Sequence, residues 1–183
     1  DNLFFGISKK KRARYSFIIA QLAEESGDSK RAMLYYRKTI ALKPTYELVF
    51  YSKIKLARML DVKRSSSEKT KKDLLKMARD NKNSDYYDVV YYTLGEIEEK
   101  EKNTTQALRY YQKSVQTSTN NPNQKALSYL KLGEINFDLT NYQPAEAYYD
   151  STIATLPIDH PQYNNILARK KTLETLVGYI KTI

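Results

Sequence analysis

A chain of 183 residues with 41% hydrophobic content has enough apolar material for one domain or one repeat array. Its apolar runs fall far short of the roughly 20 residues that a membrane-spanning helix needs. Five Gly and five Pro are too few for the turns of an all-β protein, and the lack of Cys removes disulfides, thiolate zinc sites and thiol nucleophiles together. The net charge of +10 is lopsided: residues 1–80 carry 20 basic and 9 acidic residues (+11), and residues 81–183 carry 11 and 12 (−1). Electrostatic attraction to an acidic partner therefore belongs to the first half.

The chain begins at Asp1, which is read as the start of a segment of a longer or processed protein. An apolar anchor, Leu3-Phe4-Phe5, precedes the basic run Lys9, Lys10, Lys11, Arg12 and Arg14. That run fits a solvated entry turn of the first helix, with a nucleic-acid patch as the competing reading. Tyr15, Ile18, Ile19 and Leu22 then recur at helical spacing, and the turn Ser26-Gly27-Asp28 leads to a second helix, RAMLYYRKTI, ending near Pro44.

The next hairpin opens around Leu56-Ala57 and holds the polar run Lys63-Arg64-Ser65-Ser66-Ser67, expected to be a long mobile loop. Its second helix has Thr70 and Leu74 where the pattern elsewhere places Ala and Tyr. The third hairpin carries Tyr91, Leu94 and Ile97, the turn Lys102-Asn103-Thr104, and QALRYYQKSV, with Pro122 as its stop. The fourth has Leu132-Gly133, the turn Thr140-Asn141-Tyr142 and AEAYYDSTI, stopping near Pro157. The tail at 163–183, with Leu167-Ala168, Leu173, Leu176, Val177 and Ile180, is either a cap or the first helix of a fifth hairpin, and its amphipathic pattern favours the latter within a longer array.

The small residues Ala20, Ala57, Gly95 and Gly133 are 37, 38 and 38 positions apart, which is a repeat period. Two antiparallel helices approach closely only where side chains are small. Ala20, Ala57, Gly95 and Gly133 supply that on first helices, and Ala32, Ala107 and Ala145 on second helices. Tyr36, Tyr111 and Tyr149 are then expected to fill the larger gap between neighbouring hairpins. The preceding tyrosines should be half exposed.

This pattern resembles the tetratricopeptide repeat: Tyr91, Leu94, Gly95, Ala107, Tyr111 and Ser114 match its signature in one unit. Tyr129, Leu132, Gly133, Ala145, Tyr149, Thr152 and Pro157 match in the next, and Ala20, Ala32, Tyr36, Thr39 and Pro44 in the first. The spacing exceeds the usual 34 by about four. The resemblance implies an all-α, right-handed α-solenoid of about four tandem helical hairpins plus a C-terminal helix. It would form a single domain over 1–183, with units at about 13–45, 46–83, 84–122 and 123–158 and the last helix at 162–183. It also implies an inner groove lined by the first helices, where we place Phe17, Ile18 and Gln21; Ile54, Lys55 and Arg58; Tyr92, Thr93 and Glu96; and Leu130, Lys131 and Glu134. The charged clamp of cochaperone repeats is missing, because Phe17 and Gln21 occupy its first positions.

Catalytic chemistry has little purchase. His160 is the only histidine and sits beside Asp159 in a connector without an evident nucleophile. Glu96, Glu98, Glu99 and Glu101 spread around a helix as a solvated face instead of converging on a metal. No catalytic residue, metal or cofactor is assigned. A scaffold that binds protein partners is the first reading; an electrostatic binder of nucleic acid or anionic envelope polymer through the basic half is the alternative.

A narrower resemblance rests on Asn2-Leu3-Phe4-Phe5-Gly6, on Lys9 to Tyr15 leading into Ala20-Gln21-Leu22, on Arg37-Lys38-Thr39-Ile40, and on Asp80-Asn81-Lys82-Asn83 followed by Tyr86, Asp88, Tyr91 and Tyr92. These phrases are similar to the tetratricopeptide lipoproteins of type IX secretion and gliding motility. That family implies an internal piece of a periplasmic protein, held at the outer membrane by a lipid anchor outside these residues; otherwise a cytoplasmic location is expected.

Overall fold

The computed structural model describes residues 6–63 and 66–182. The expected anchor Leu3-Phe4-Phe5, and Arg64 and Ser65 of the expected loop, lie outside the described residues. Among those described, the regular structure is helical throughout. The chain divides into two compact units, Asp1–Ser67 and Glu68–Ile183, so the division falls inside the repeat expected over 46–83.

The first unit holds α1 (Lys9–Glu25), α2 (Ser29–Ala41) and α3 (Tyr46–Arg58). Gly27, at φ 80°, reverses the chain after α1, so that the Asp28 N–H reaches back to the Ala23 carbonyl at 2.8 Å. The Asp28 carboxylate then caps α2 by accepting from Arg31 N–H at 3.0 Å. Ala20, Ala32 and Tyr36 are fully buried in one cluster, and the Phe17 ring stands edge-on to Tyr36 with centroids 5.6 Å apart.

On α1 the buried residues are Ala13, Ser16, Ala20 and Ala23. Tyr15 and Leu22, which recur at helical spacing, are 44% and 59% exposed, and Ile18, placed on the inner groove, is 49% exposed. They lie one face round from the small residues that meet α2. The counterpart positions on the third repeat's first helix, Val90, Thr93 and Ile97, are buried because that helix is flanked on both sides.

The second unit holds α4 (Glu68–Met77), a 3-10 helix at Asn81–Tyr86, α5 (Tyr87–Lys100), α6 (Thr104–Thr117), α7 (Pro122–Asp138), α8 (Tyr142–Thr155) and α9 (Tyr163–Lys181). Leu74 of α4 is buried, so a leucine fills the place that tyrosine takes in the other repeats. The α5–α6 and α7–α8 turns repeat the closure seen at Gly27, but with side chains: Lys102 and Thr140 both sit at φ 61°. Asn103 N–H reaches Glu98 O, and Asn141 N–H reaches Asn136 O, at 2.8 Å each.

The pairing of absent bulk with bulk is direct here. A Cβ on Gly95 would stand 2.6 Å from Tyr111 Cε1, and one on Gly133 would stand 3.0 Å from Tyr149 Cδ2. Ala57, Ala107 and Ala145 are buried too, whereas Tyr35, Tyr110 and Tyr148 are half-buried, as expected of the leading tyrosines. Pro122 does not stop α6, which ends five residues earlier. It opens α7, where its missing N–H costs nothing, with Asn121 capping Gln124 N–H at 3.1 Å.

Candidate functional site

In the first unit the first helices α1 and α3 run side by side. A recess of about 380 Å³ opens between them, with Lys10 and Arg14 of α1 at one end. Phe17, Leu48 and Tyr51 form its apolar floor, and Pro44, Thr45 and Glu47 its rim. A second recess of similar size adjoins it and brings in Lys9 and Lys43. Lys9, Lys10, Arg14 and Lys43 are exposed, and none has an ion-pair partner among the described residues. Lys11 is exposed as well, but Arg12 is half-buried with its Nε shielded from solvent.

Of the expected inner-wall residues in this unit, Phe17 is half-buried, and Ile18, Gln21 and Arg58 are exposed. Ile54 corrects the expectation. At 2% exposure it is a packing residue, because its side chain turns inward between the helices. Lys55 is held by Glu24 at 3.0 Å, a residue the sequence reading passed over. Glu24 also accepts from the Tyr36 hydroxyl at 2.6 Å. Partial burial pushes the Glu24 carboxyl up, but Tyr36 and Lys55 outweigh it and hold it below the ordinary carboxylate value. Burial, reinforced by Glu24, pushes the Tyr36 hydroxyl the other way, far above its ordinary value.

The second unit repeats this arrangement. Tyr111 donates to Glu99 at 2.7 Å, and Lys131 binds Glu99 at 3.3 Å and Glu134 at 3.2 Å. Arg169 extends the row to Glu134 at 3.8 Å. Burial would lower the Lys131 ammonium, but Glu134 and Glu99 hold it above its usual value. Leu130, Lys131, Glu134 and Glu96, placed on the inner groove, are half-buried. Tyr92 and Thr93 are not on that wall: they are 7% and 0% exposed, and Tyr92 packs at 5.3 Å on Tyr111.

Of the four glutamates expected to form a solvated face, Glu99 and Glu101 are exposed, Glu96 is half-buried, and Glu98 corrects the expectation. Glu98 is buried and, with Glu101 and Glu68, surrounds Lys71 of α4 at 3.4, 2.9 and 2.9 Å. Partial burial would lower the Lys71 ammonium, but its hydrogen bonds to Glu101 and Glu68 hold it above its usual value. Asp88, at the start of α5, is buried and accepts from Ser118 Oγ at 2.9 Å and its neighbour Val89 N–H at 2.8 Å. Burial raises its pKa, and those hydrogen bonds offset only part of the rise. His160 lies in the α8–α9 connection and accepts from Gln162 N–H at 3.2 Å, a turn-closing role.

Among the described residues no cluster of His, Asp or Glu has the arrangement to hold a metal ion, and no helix is long and apolar enough to cross a membrane. The two units thus differ in how their cations are paired. In the second unit Lys71, Lys131 and Arg169 are paired with glutamates. In the first, Lys10 and Arg14 line the apolar-floored recess and Lys9 and Lys43 the one beside it, and all four face solvent.

Tetratricopeptide repeat family models match residues 13–46 and 86–157. Among solved structures, the crystal structure of BtubC (BKLC) from P. vanneervenii superposes with a TM-score of 0.66 over 93% of this chain and 82% of that one, at 15% identity. The likeness is one of fold. No curated protein matches the sequence.

Proposed function

The chain belongs to the tetratricopeptide-repeat family, and from that premise we propose that it is a non-catalytic scaffold holding protein partners against the inner faces of its hairpins. The observation that carries this reading is the recess between α1 and α3, where an apolar floor and unneutralised cations stand in solvent on rigid helices. Repeat hairpins suit such a task because extended inner surfaces offer many small contacts to a peptide or a neighbouring subunit.

The finer reading is a component of a type IX secretion and gliding-motility machine, lipid-anchored in the envelope. It is supported by the sequence phrases around Lys9–Tyr15 and Asp80–Tyr92 and by nothing in the geometry. Crosslinking in cells, followed by capture from envelope and soluble fractions, tests both levels. Envelope proteins joined to the first unit are the expected result. Recovery of soluble protein partners alone would remove the envelope assignment and leave the scaffold.

A second reading has its own observation. Lys9, Lys10, Lys11 and Arg14 are exposed, so a nucleic acid or anionic envelope polymer finds a positive patch there. Binding of that kind falls log-linearly with salt, with a slope set by the number of cations engaged. Recovery of nucleoid or ribosomal components alone in the crosslinking experiment would put this reading first.

A further inference from the structure

We infer that the exposed face of α1 is a self-pairing surface, on which a second copy of this chain lays its own α1 antiparallel about a two-fold axis. α1 carries two seams. Ala13, Ser16, Ala20 and Ala23 form the buried one, and all of them are small. Lys11, Tyr15, Ile18, Leu22 and Glu25, at steps of four, three, four and three, form the other, and all five are exposed. Those steps keep a row on one side of a helix, here over about 21 Å, and are the steps by which helices pair in a coiled coil. On α5 the positions that answer to Tyr15, Ile18 and Leu22 are Val90, Thr93 and Ile97, and all three are fully buried. This side of a first helix is therefore one that packing covers, and on α1 it presents three bulky side chains in a continuous row to water.

The charges on the row choose the occupant. Lys11 and, at the edge of the row, Arg14 stand at its N-terminal end, and Glu25 stands at its C-terminal end. None of the three has an ion-pair partner among the described residues. Turned end for end, the row is its own complement. With Ile18 of one copy beside Leu22 of the other, Glu25 comes level with Arg14 and lies about one turn from Lys11. The two-fold axis then makes each of these contacts twice. A parallel pair would set Lys11 against Lys11 and Glu25 against Glu25, and like charges repel. An unrelated partner has no reason to carry this order of charges, whereas a second copy carries it by necessity. The recess floor, Phe17, Leu48 and Tyr51, takes no part, so the scaffold reading stands or falls independently.

Analytical ultracentrifugation of the whole chain is the test. A monomer–dimer equilibrium is expected, with the dimer as the largest species because a two-fold contact closes on itself. Ile18→Asp with Leu22→Asp changes two exposed residues, so the helical circular dichroism should persist while the dissociation constant rises at least tenfold. Should that variant lose its helix signal, the charge series decides alone. Glu25→Lys by itself should weaken the dimer about tenfold, since it faces two cations with a third at each end. Adding Lys11→Glu and Arg14→Glu to the same chain should restore the wild-type affinity, because every charge contact is then reversed on both sides. A chain that stays monomeric at millimolar concentration would overturn the proposal and leave the face to the chain's own first residues or to another protein. A dimer indifferent to Ile18→Asp with Leu22→Asp in a folded chain would place the contact elsewhere. A triple variant no tighter than Glu25→Lys would remove the antiparallel order. Either result overturns the proposal too.

Discussion

The hydroxyl of Tyr111 donates to Glu99 at 2.7 Å from twelve residues farther along the chain, and Tyr36 does the same to Glu24 at 2.6 Å. In each case the glutamate then reaches a lysine on the next first helix, Lys131 or Lys55. One tyrosine thus does two things: its ring fills the space left by a small residue, and its hydroxyl orients the carboxylate that bridges hairpins. Tyr111→Phe keeps the ring and removes the bond, so unfolding free energy should fall by about 1–2 kcal/mol. Tyr110→Phe, at a half-buried position without that partner, should change it by less than about 0.5 kcal/mol. Urea denaturation of both variants checks the difference.

The three glycines within helices predict an ordered series. Gly95→Ala would put a Cβ at 2.6–2.9 Å from three atoms of the buried Tyr111 ring, which has nowhere to go. The gain of roughly 1 kcal/mol in helix propensity is outweighed by overpacking of about 1–3 kcal/mol, and the variant should be destabilised. Gly133→Ala is looser, at 3.0 Å from Tyr149, and should cost less. Gly178 has nothing within 4 Å, so Gly178→Ala should stabilise by about 0.5–1 kcal/mol. Thermal melts should rank the three in that order.

Thr140 holds φ 61° in the α7–α8 turn, at the place Gly27 occupies in the first hairpin. A β-branched residue is strained in the left-handed region by about 1–2 kcal/mol. Thr140→Gly should recover part of that, less the extra entropy of the unfolded chain, for a net gain near 0.5–1 kcal/mol. Gly27→Ala should lose a comparable amount. Equal and opposite shifts in the urea midpoint are the expected result.

Asp88 sets a pH signature. Its folded-state pKa is raised, chiefly by burial, so the native chain holds its proton to higher pH than the unfolded chain does. The stability this group contributes is full below its ordinary value, about 4, and is lost as pH rises through the raised value. Asp88→Asn stays neutral throughout. The variant should therefore gain on the wild type as pH rises above about 4, with the difference flat below that point. Glu24 acts in the opposite sense: its contribution is present above the ordinary glutamate value and fades below it, and comparing the variant with the wild type cancels it.

The small residues were legible in the sequence because their role depends on size alone. Ala20, Ala57, Gly95 and Gly133 recur with one period and are all buried. Periodicity tells that a helix has an apolar face but not which flank a neighbour covers, so the spacing of Tyr15 and Leu22 gave no sign that they are exposed. The inner wall was read a fraction of a turn too generously, which is why Ile54, Tyr92 and Thr93 proved buried. The cross-helix pairs of Glu98 and Glu99 went unforeseen for another reason. Their partners Lys71, Tyr111 and Lys131 come from other helices, and spacing within one helix carries no trace of them. The recurrence of Glu twelve residues before a buried Tyr, at Glu24–Tyr36 and Glu99–Tyr111, was the available signal.

A photo-reactive benzoyl-phenylalanine at position 17, on the recess floor, compared with one at exposed Arg37 on α2 tests the central claim most directly. The account predicts protein adducts from position 17 in living cells and few or none from position 37. Adducts to nucleic acid, or the same yield and the same partners from both positions, would contradict it.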